Sequence, residues 1–291
     1  MKKIISLLTI LLILVGCSSN SSTQISDKDD VLFKIEDTSV TKGEVYNMLR
    51  YQQVGQIIIN DAQNMLVESK VELTDEIRAE AQEMLEESKE QFGDYFEAYY
   101  GSGDDEELLE TVFIPAVRQR KLLENYFEDN KDTIISEADP VKLNILYYDS
   151  QETAQNAIDL LNDGKSIADV LDELGTTSNH GVSREEPTVI AKNKLDDVVV
   201  RFIESEEGLL KNFTKSPLMD VTEAKFYVVK LIEDDNEALT EEYKEVFLAD
   251  QEAGSKVIVD LFKAANFEVY DQAIYDGIKA NEQLSDFFPN N

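Results

Sequence analysis

The chain has 291 residues and carries 60 acidic side chains against 27 basic ones, which gives a formal net charge of −33 at pH 7. That balance argues against a nucleic-acid partner, because phosphate binding needs clustered lysine and arginine. The length exceeds a usual single domain of about 100–200 residues and predicts two domains. The acidity favours solubility by self-repulsion, and steering of basic clients or loose binding of divalent cations is the alternative.

The first residues predict export. Two lysines precede an uncharged apolar run, Ile4 to Val15, which is too short to span a bilayer and is typical of a secretory signal. The Leu-Val-Gly-Cys ending at Cys17 resembles the lipobox of bacterial lipoproteins. This resemblance implies that residues 1–16 are removed and that Cys17 is acylated; a plain signal peptide with an incidental cysteine is the alternative. Cys17 is the only cysteine, so a disulfide within the chain is excluded.

Polar residues 17–30 predict a flexible tether, and residues 31–138 predict a helical lobe. The lobe opens with the short strand VLFKI, followed by a helix that Thr41 can cap. Pro115 should kink or restart a later helix. An aromatic stripe favours core packing, with client contact as the alternative; it comprises Phe92, Tyr95, Phe96, Tyr99 and Tyr100.

The pattern changes at Pro140, and residues 139–234 predict a compact α+β unit. Its predicted elements are a strand over 141–149, helices over 151–162 and 167–174, a polar loop over 175–188, a helix over 198–207 and a strand over 225–232. The C-terminal segment, residues 235–291, is predicted to be helical through Lys263, then to form a short strand FEVY, a helical tail and a mobile end over 287–291.

Four stretches of the mature chain resemble one known family. They are VLFKIEDTSVTKGEVY, KVELTDEIRAEAQEMLEESKEQFGDYFEAYYGSG, NILYYDSQETAQNAIDLLNDGKSIADVLDEL and FYVVKL. In this order, after a lipobox, they are similar to the PrsA-type foldases, whose central unit is a parvulin peptidyl-prolyl isomerase domain. The resemblance implies a mostly helical, discontinuous N/C chaperone domain with an inserted parvulin-like α+β domain, and it implies that FEVY pairs with VLFKI.

The resemblance also implies which residues occupy the isomerase site. Parvulins carry two histidines, an acid or cysteine, and a methionine and phenylalanine in the prolyl pocket. By segment these positions fall on Asn144 and Tyr227 for the histidines, near Thr177 for the acid, near Val198 for the methionine and on Phe202 for the phenylalanine. The chain has a single histidine, His180, in the polar loop, so it cannot supply two. The site is therefore predicted to be degenerate.

Three functions follow as alternatives. The first is a lipid-anchored foldase or chaperone on the extracytoplasmic face of the cell membrane that binds unfolded exported proteins and is weak or inactive as an isomerase. The second is a peptidyl-prolyl isomerase that works with substituted site residues. The third is a surface lipoprotein for one dedicated partner. No cofactor and no metal site are expected, since one histidine excludes a histidine-rich site, and a homodimer is left open.

Overall fold

The computed structural model describes residues 27–35, 38–51, 54–179, 181–265 and 267–287. The predicted signal peptide, Cys17 and most of the predicted tether lie outside these residues. The chain divides into two compact units, and each has helices and strands. Unit 1 comprises Met1–Thr74 with Ile258–Asn291, and unit 2 comprises Asp75–Val257. In the described ranges, no helix has both the length and the apolar character needed to cross a bilayer.

Unit 1 combines a β-hairpin with helices from both ends of the chain. Its elements are β1 (Val31–Ile35), β2 (Thr38–Thr41), α1 (Lys42–Tyr51), α2 (Val54–Lys70), α12 (Gln272–Ala280) and α13 (Glu282–Ser285). Helix α1 begins as predicted, because the Glu44 N–H donates to Thr41 Oγ1 at 3.3 Å and the Thr41 N–H donates to Glu44 Oε2 at 2.8 Å. Helix α12, from the C-terminal end of the chain, contacts α1 and α2.

Two boundaries in unit 1 differ from the prediction. Residues 27–30 belong to a hydrogen-bonded turn and not to a free tether, since the Gly43 N–H donates to the Lys28 carbonyl at 2.8 Å. Phe287 is buried with its ring centroid 5.0 Å from that of Phe262, so the mobile end cannot begin there. Residues 288–291 lie outside the described ranges.

The predicted strand FEVY is wrong. Residues 267–270 have no regular secondary structure, and β1 pairs with β2 in an antiparallel hairpin instead. A partner only a few residues away costs little loop entropy, whereas pairing with FEVY would close a loop of more than two hundred residues. Phe267 packs its ring 5.3 Å from Phe262, so the apolar character of this stretch reflects ring packing.

The helices of unit 2 lead into and out of a central α+β segment. They are α3 (Asp75–Phe92), α4 (Phe96–Tyr100), α5 (Asp105–Leu108), α6 (Ile114–Ala138) and α10 (Asn236–Ala249), and α11 covers Gln251–Ala264. A π-helical turn, Leu109–Phe113, precedes α6, and Pro115 lies in the first turn of α6, so it restarts the helix as predicted. Helix α6 ends where Asp139 adopts a left-handed conformation before Pro140.

The α+β segment is a four-stranded antiparallel sheet with helices on its faces. Its elements are β3 (Pro140–Tyr148), α7 (Gln151–Asn162), α8 (Ile167–Leu174), β4 (Thr177–Ser178), β5 (Gly181–Val182), β6 (Thr188–Ala191), α9 (Asp197–Ile203), β7 (Leu218–Asp220) and β8 (Lys225–Glu233). The strand order is β6-β3-β8-β7. The predicted α+β class is confirmed. The sequence did not predict the edge strands β6 and β7, and it extended α9 four residues too far.

Two hydrophobic clusters lie on opposite faces of this sheet. On one face, residues of α9 pack with Leu143, Ile145, Tyr227 and other odd-numbered residues of the central strands. On the other face, α7 and α8 pack on Leu146, Tyr148 and Val228 among others. Successive side chains of a strand alternate between faces, so the two clusters fix which face each residue of β3 occupies.

Candidate functional site

A cleft of about 360 Å³ opens on the α9 face of the sheet. Strands β3 and β6 form its floor, and residues 181–186 form one wall. The lining residues are Ile145, Tyr147, Gly181, Val182, Arg184, Glu186, Thr188 and Ile190. The lining therefore combines apolar strand side chains with one arginine and one glutamate, a mixture typical of binding clefts.

Ser183 and Asn144 attach the wall of the cleft to β3. The Tyr147 N–H donates to Ser183 Oγ at 2.8 Å, and the Asn144 Nδ2 donates to the Glu185 carbonyl at 3.0 Å. Both side chains are buried. Strand β6 pairs only with residues 140–143 of β3, so Ser183 accepts from a backbone N–H of β3 that β6 does not reach, while the Asn144 side chain satisfies the backbone carbonyl of Glu185. Asn144 therefore has a structural role, which explains a buried amide in an apolar strand.

Asn144 and Tyr227 do not face each other. Leu143 and Ile145 lie in the α9 cluster with Tyr227, so Asn144 between them lies on the α7 and α8 face. The cross-strand neighbour of Tyr227 is Tyr147, and their ring centroids are 5.5 Å apart in an edge-on arrangement. The two positions that the resemblance gives to the histidines therefore lie on opposite faces of the sheet, and the cross-strand partner of Tyr227 is a second tyrosine.

Tyr227 belongs to the α9 cluster and brings a hydroxyl group into it. Its hydroxyl donates to Asp196 Oδ2, and the Lys225 Nζ lies 3.6 Å from the same oxygen. Burial raises the pKa of Tyr227 well above its ordinary value, and the hydrogen bond to Asp196 raises it further. Burial also raises the pKa of Tyr147. Both tyrosines are therefore neutral near pH 7 and cannot exchange protons as imidazoles do.

The other predicted positions are only partly brought together. Phe202 is buried in the α9 cluster with Tyr227, and Val198 packs against the same cluster while half-buried. Thr177 lies on β4, which pairs with β5 beside β3, and its side chain is outside the described part of the structure. His180 also lies outside the described residues.

The sequence analysis missed three residues of this region. Gly181 approaches Tyr147 so closely that a Cβ would lie 3.1 Å from its ring atoms. Ser183 and Asp196 supply the hydrogen bonds to Tyr147 and Tyr227 described above. A lone serine in a polar loop and one of many acidic pairs carry no sequence signal. Among the described side chains, no group of three or more His, Cys, Asp or Glu could hold a metal ion.

Unit 1 presents a second candidate surface, made of exposed apolar side chains. Of the sixteen large hydrophobic residues that are exposed within the described ranges, nine belong to unit 1, although unit 2 is the longer unit. They are Val31, Leu32, Phe33, Met48, Leu49, Ile57, Met65, Leu73 and Tyr270. We call this set the unit 1 apolar surface. Exposed apolar side chains that form a contiguous patch mark binding surfaces, so this set is a candidate for one.

The chain is similar to solved foldase structures at low sequence identity. PrsA from Bacillus cereus, a peptidylprolyl isomerase, is 18% identical over 88% of this chain and 100% of that chain, with a TM-score of 0.47. The foldase PrsA from Streptococcus pneumoniae is 15% identical over 84% of this chain and 97% of that chain, with a TM-score of 0.48. PrsA from Bacillus subtilis is 20% identical over 88% and 100%, with a TM-score of 0.40.

No protein-family model matches the chain, and neither does a curated protein sequence. The three solved structures named above are PrsA proteins, the type of foldase that the sequence resembles.

Proposed function

We propose that the protein is a lipid-anchored extracytoplasmic chaperone that binds unfolded segments of exported proteins through the unit 1 apolar surface. The observation that carries this proposal is the concentration of exposed hydrophobic side chains in unit 1. Full burial of a valine, leucine or phenylalanine side chain stabilises by ~1.5–3 kcal/mol. Several half-exposed side chains acting together therefore suffice to hold an unfolded chain without a shaped pocket.

Strand β1 adds a backbone contribution. Val31, Leu32 and Phe33 are each more than half exposed, so both faces of this strand are open. The hairpin is a two-stranded sheet, which leaves one backbone edge of β1 unpaired within the described structure. An extended client segment can add to such an edge by main-chain hydrogen bonds while its side chains contact the exposed apolar row.

The test is suppression of aggregation by the mature chain, measured by light scattering of denatured citrate synthase on dilution. A variant with Val31, Leu32 and Phe33 all changed to serine should need at least about tenfold more protein for half-maximal suppression. The matched control changes Leu209 and Leu210, which are equally exposed in unit 2, to serine and should behave as the wild type. Equal suppression by both variants would refute the proposal.

Isomerase activity is the second candidate function, and the cleft on the α9 face favours it. Isomerisation requires a barrier of ~18–20 kcal/mol to be lowered, which desolvation and twisting of the imide can achieve without covalent chemistry. We propose that activity is weak or absent, because the Tyr227 hydroxyl is engaged with Asp196 and lies buried. A prolyl isomerisation assay on the mature chain tests this, and a rate equal to that of a histidine-bearing parvulin would contradict it.

The domain arrangement and the anchor belong to the same proposal. The α+β segment begins after Asp139 and ends before Asn236. The Asn236 Nδ2 lies 3.3 Å from Asp139 Oδ1, and this proximity supports an inserted domain over 139–234.

Acylation of Cys17 would hold the chaperone at the membrane. The change Cys17→Ser should release the protein or leave it uncleaved, and membrane retention of a processed form would contradict the anchor. If the protein instead serves one dedicated partner, it should bind a single ligand at a fixed stoichiometry.

A further inference from the structure

The segment at the end of α3, residues 92–105, which we call the tip, exposes two tyrosines. Tyr95 is 72% exposed and Tyr99 is 71% exposed, although the aromatic stripe to which they belong was predicted to pack in the core. Only Phe96 of that stripe is buried. Tyr95 precedes α4 with a helical backbone conformation, and Tyr99 follows four residues later, so the two side chains project from one side of the tip.

Ring contacts hold this tip in place. The Tyr99 ring centroid lies 4.6 Å from that of Phe92, and Phe92 lies 5.7 Å from Tyr100 in an edge-on contact. Tyr100 continues the series to Phe113, at 5.2 Å, whose side chain is fully buried. The exposed face of Tyr99 is therefore supported by a chain of rings that reaches the core of unit 2, and little side-chain entropy remains to be lost on binding.

The surroundings of the two tyrosines are strongly acidic. Residues 86–107 contain nine aspartates and glutamates and a single basic residue, Lys89. Lys89 is already paired, with its Nζ 2.7 Å from Asp105 and 3.5 Å from Glu86. Asp94 and Glu97 are exposed beside the tyrosines. The negative face of an aromatic ring attracts cations, and nearby carboxylates add to that attraction.

We propose that this aromatic and acidic tip, residues 92–105, is a docking surface for a basic, extended polypeptide segment. Lysine or arginine side chains of the partner would lie over the rings of Tyr95 and Tyr99 while their charges are neutralised by Asp94 and Glu97. Charge complementarity selects this occupant, because a nucleic acid or an anionic membrane would be repelled by the same carboxylates. The tip shares no residue with the unit 1 apolar surface, and it would bind its partner through charge and aromatic ring faces instead of apolar area.

The test measures the affinity of the mature chain for a fluorescent eight-residue peptide of alternating arginine and glycine, by anisotropy at low salt. Changing Tyr95 and Tyr99 together to alanine should weaken binding by about tenfold, since two exposed cation–π contacts are lost. Changing both to phenylalanine should leave affinity within about twofold, because the ring faces remain. Changing both to leucine should weaken binding as alanine does, because apolar area is kept but the ring quadrupole is not.

The matched control is Val221→Ala, which removes an apolar side chain of unit 2 that is 79% exposed and lies near Asp220 and Glu223 in the sequence. It should leave the affinity unchanged within about twofold. The proposal is overturned if the wild type does not bind the peptide, if the alanine pair binds it as the wild type does, or if Val221→Ala weakens binding equally. The last two results would mean that the general acidity of the chain attracts the peptide. Circular dichroism should show unchanged helix content in each variant.

Discussion

Among the described glycines, Gly208 is the one at which an added Cβ would make the closest contact. It follows α9, and a Cβ there would lie 2.2 Å from the Phe202 carbonyl oxygen and 2.8 Å from the Ile203 Cα. Both are backbone atoms, so the clash cannot be relieved by rotating a side chain. The change Gly208→Ala must therefore displace the backbone between Phe202 and Gly208, which carries part of the α9 cluster.

We expect this change to cost about 1–3 kcal/mol, the usual range for overpacking a filled interior. For a unit of the size of unit 2, a loss of about 2 kcal/mol lowers the melting temperature by roughly 4–8 °C. Thermal unfolding should be followed by near-ultraviolet circular dichroism, because the tyrosines of the α9 cluster report on unit 2. Hydrogen exchange of α9 amides should locate the loss.

Gly254→Ala is the matched control for this prediction. Gly254 is also buried in unit 2, but it lies within α11, and its Cβ would meet only Leu123 Cδ1 at an ordinary 3.5 Å. Replacing a helical glycine by alanine stabilises by about 0.5–1 kcal/mol. A melting temperature for Gly208→Ala that equals or exceeds that of the wild type, with Gly254→Ala behaving as expected, would refute the packing argument.

Three further predictions concern local interactions. Asn144→Ala should cost about 1 kcal/mol through the lost hydrogen bond to Glu185 and speed amide exchange in residues 183–187, with aggregation suppression unchanged. Hydrogen bonds from Ser166 lower the pKa of Asp169. These bonds therefore stabilise the fold while Asp169 is ionised, and the stabilisation is lost as the pH falls and Asp169 becomes protonated. The difference in melting temperature between the wild type and Ser166→Ala should shrink below about pH 4. Gly55→Ala places a Cβ 2.9 Å from a side chain of α12 and should speed amide exchange there.

The helices whose bounds were predicted correctly have capping residues at their N-termini, and such residues can be recognised in the local sequence. Helices α7 and α8 have the predicted bounds because Ser150 and Ser166 cap them, and Asp169 completes a capping box at the second. Pro140 likewise marks the start of β3. The strand predicted at 267–270 failed because its apolar pattern serves ring packing, and strand pairing depends on distant partners that a local pattern does not contain.

The candidate site was less predictable than the fold. Three of the positions that the resemblance implies, Val198, Phe202 and Tyr227, belong to or pack against one hydrophobic cluster. The face of the sheet on which Asn144 lies was not predicted, because it depends on the register of the strand, and a one-residue shift in register moves a side chain across the sheet. Its hydrogen bond reaches across forty-one residues to Glu185, and no local pattern predicts such a contact.

The proposed function requires that the protein hold unfolded chains and not depend on prolyl isomerisation. One refolding experiment measures both properties, using the mature chain and a denatured protein that aggregates and has a slow proline-limited phase of tens to hundreds of seconds. We predict that the yield of native protein rises with added chaperone while the rate constant of the slow phase stays unchanged. An accelerated slow phase without a gain in yield would contradict the account.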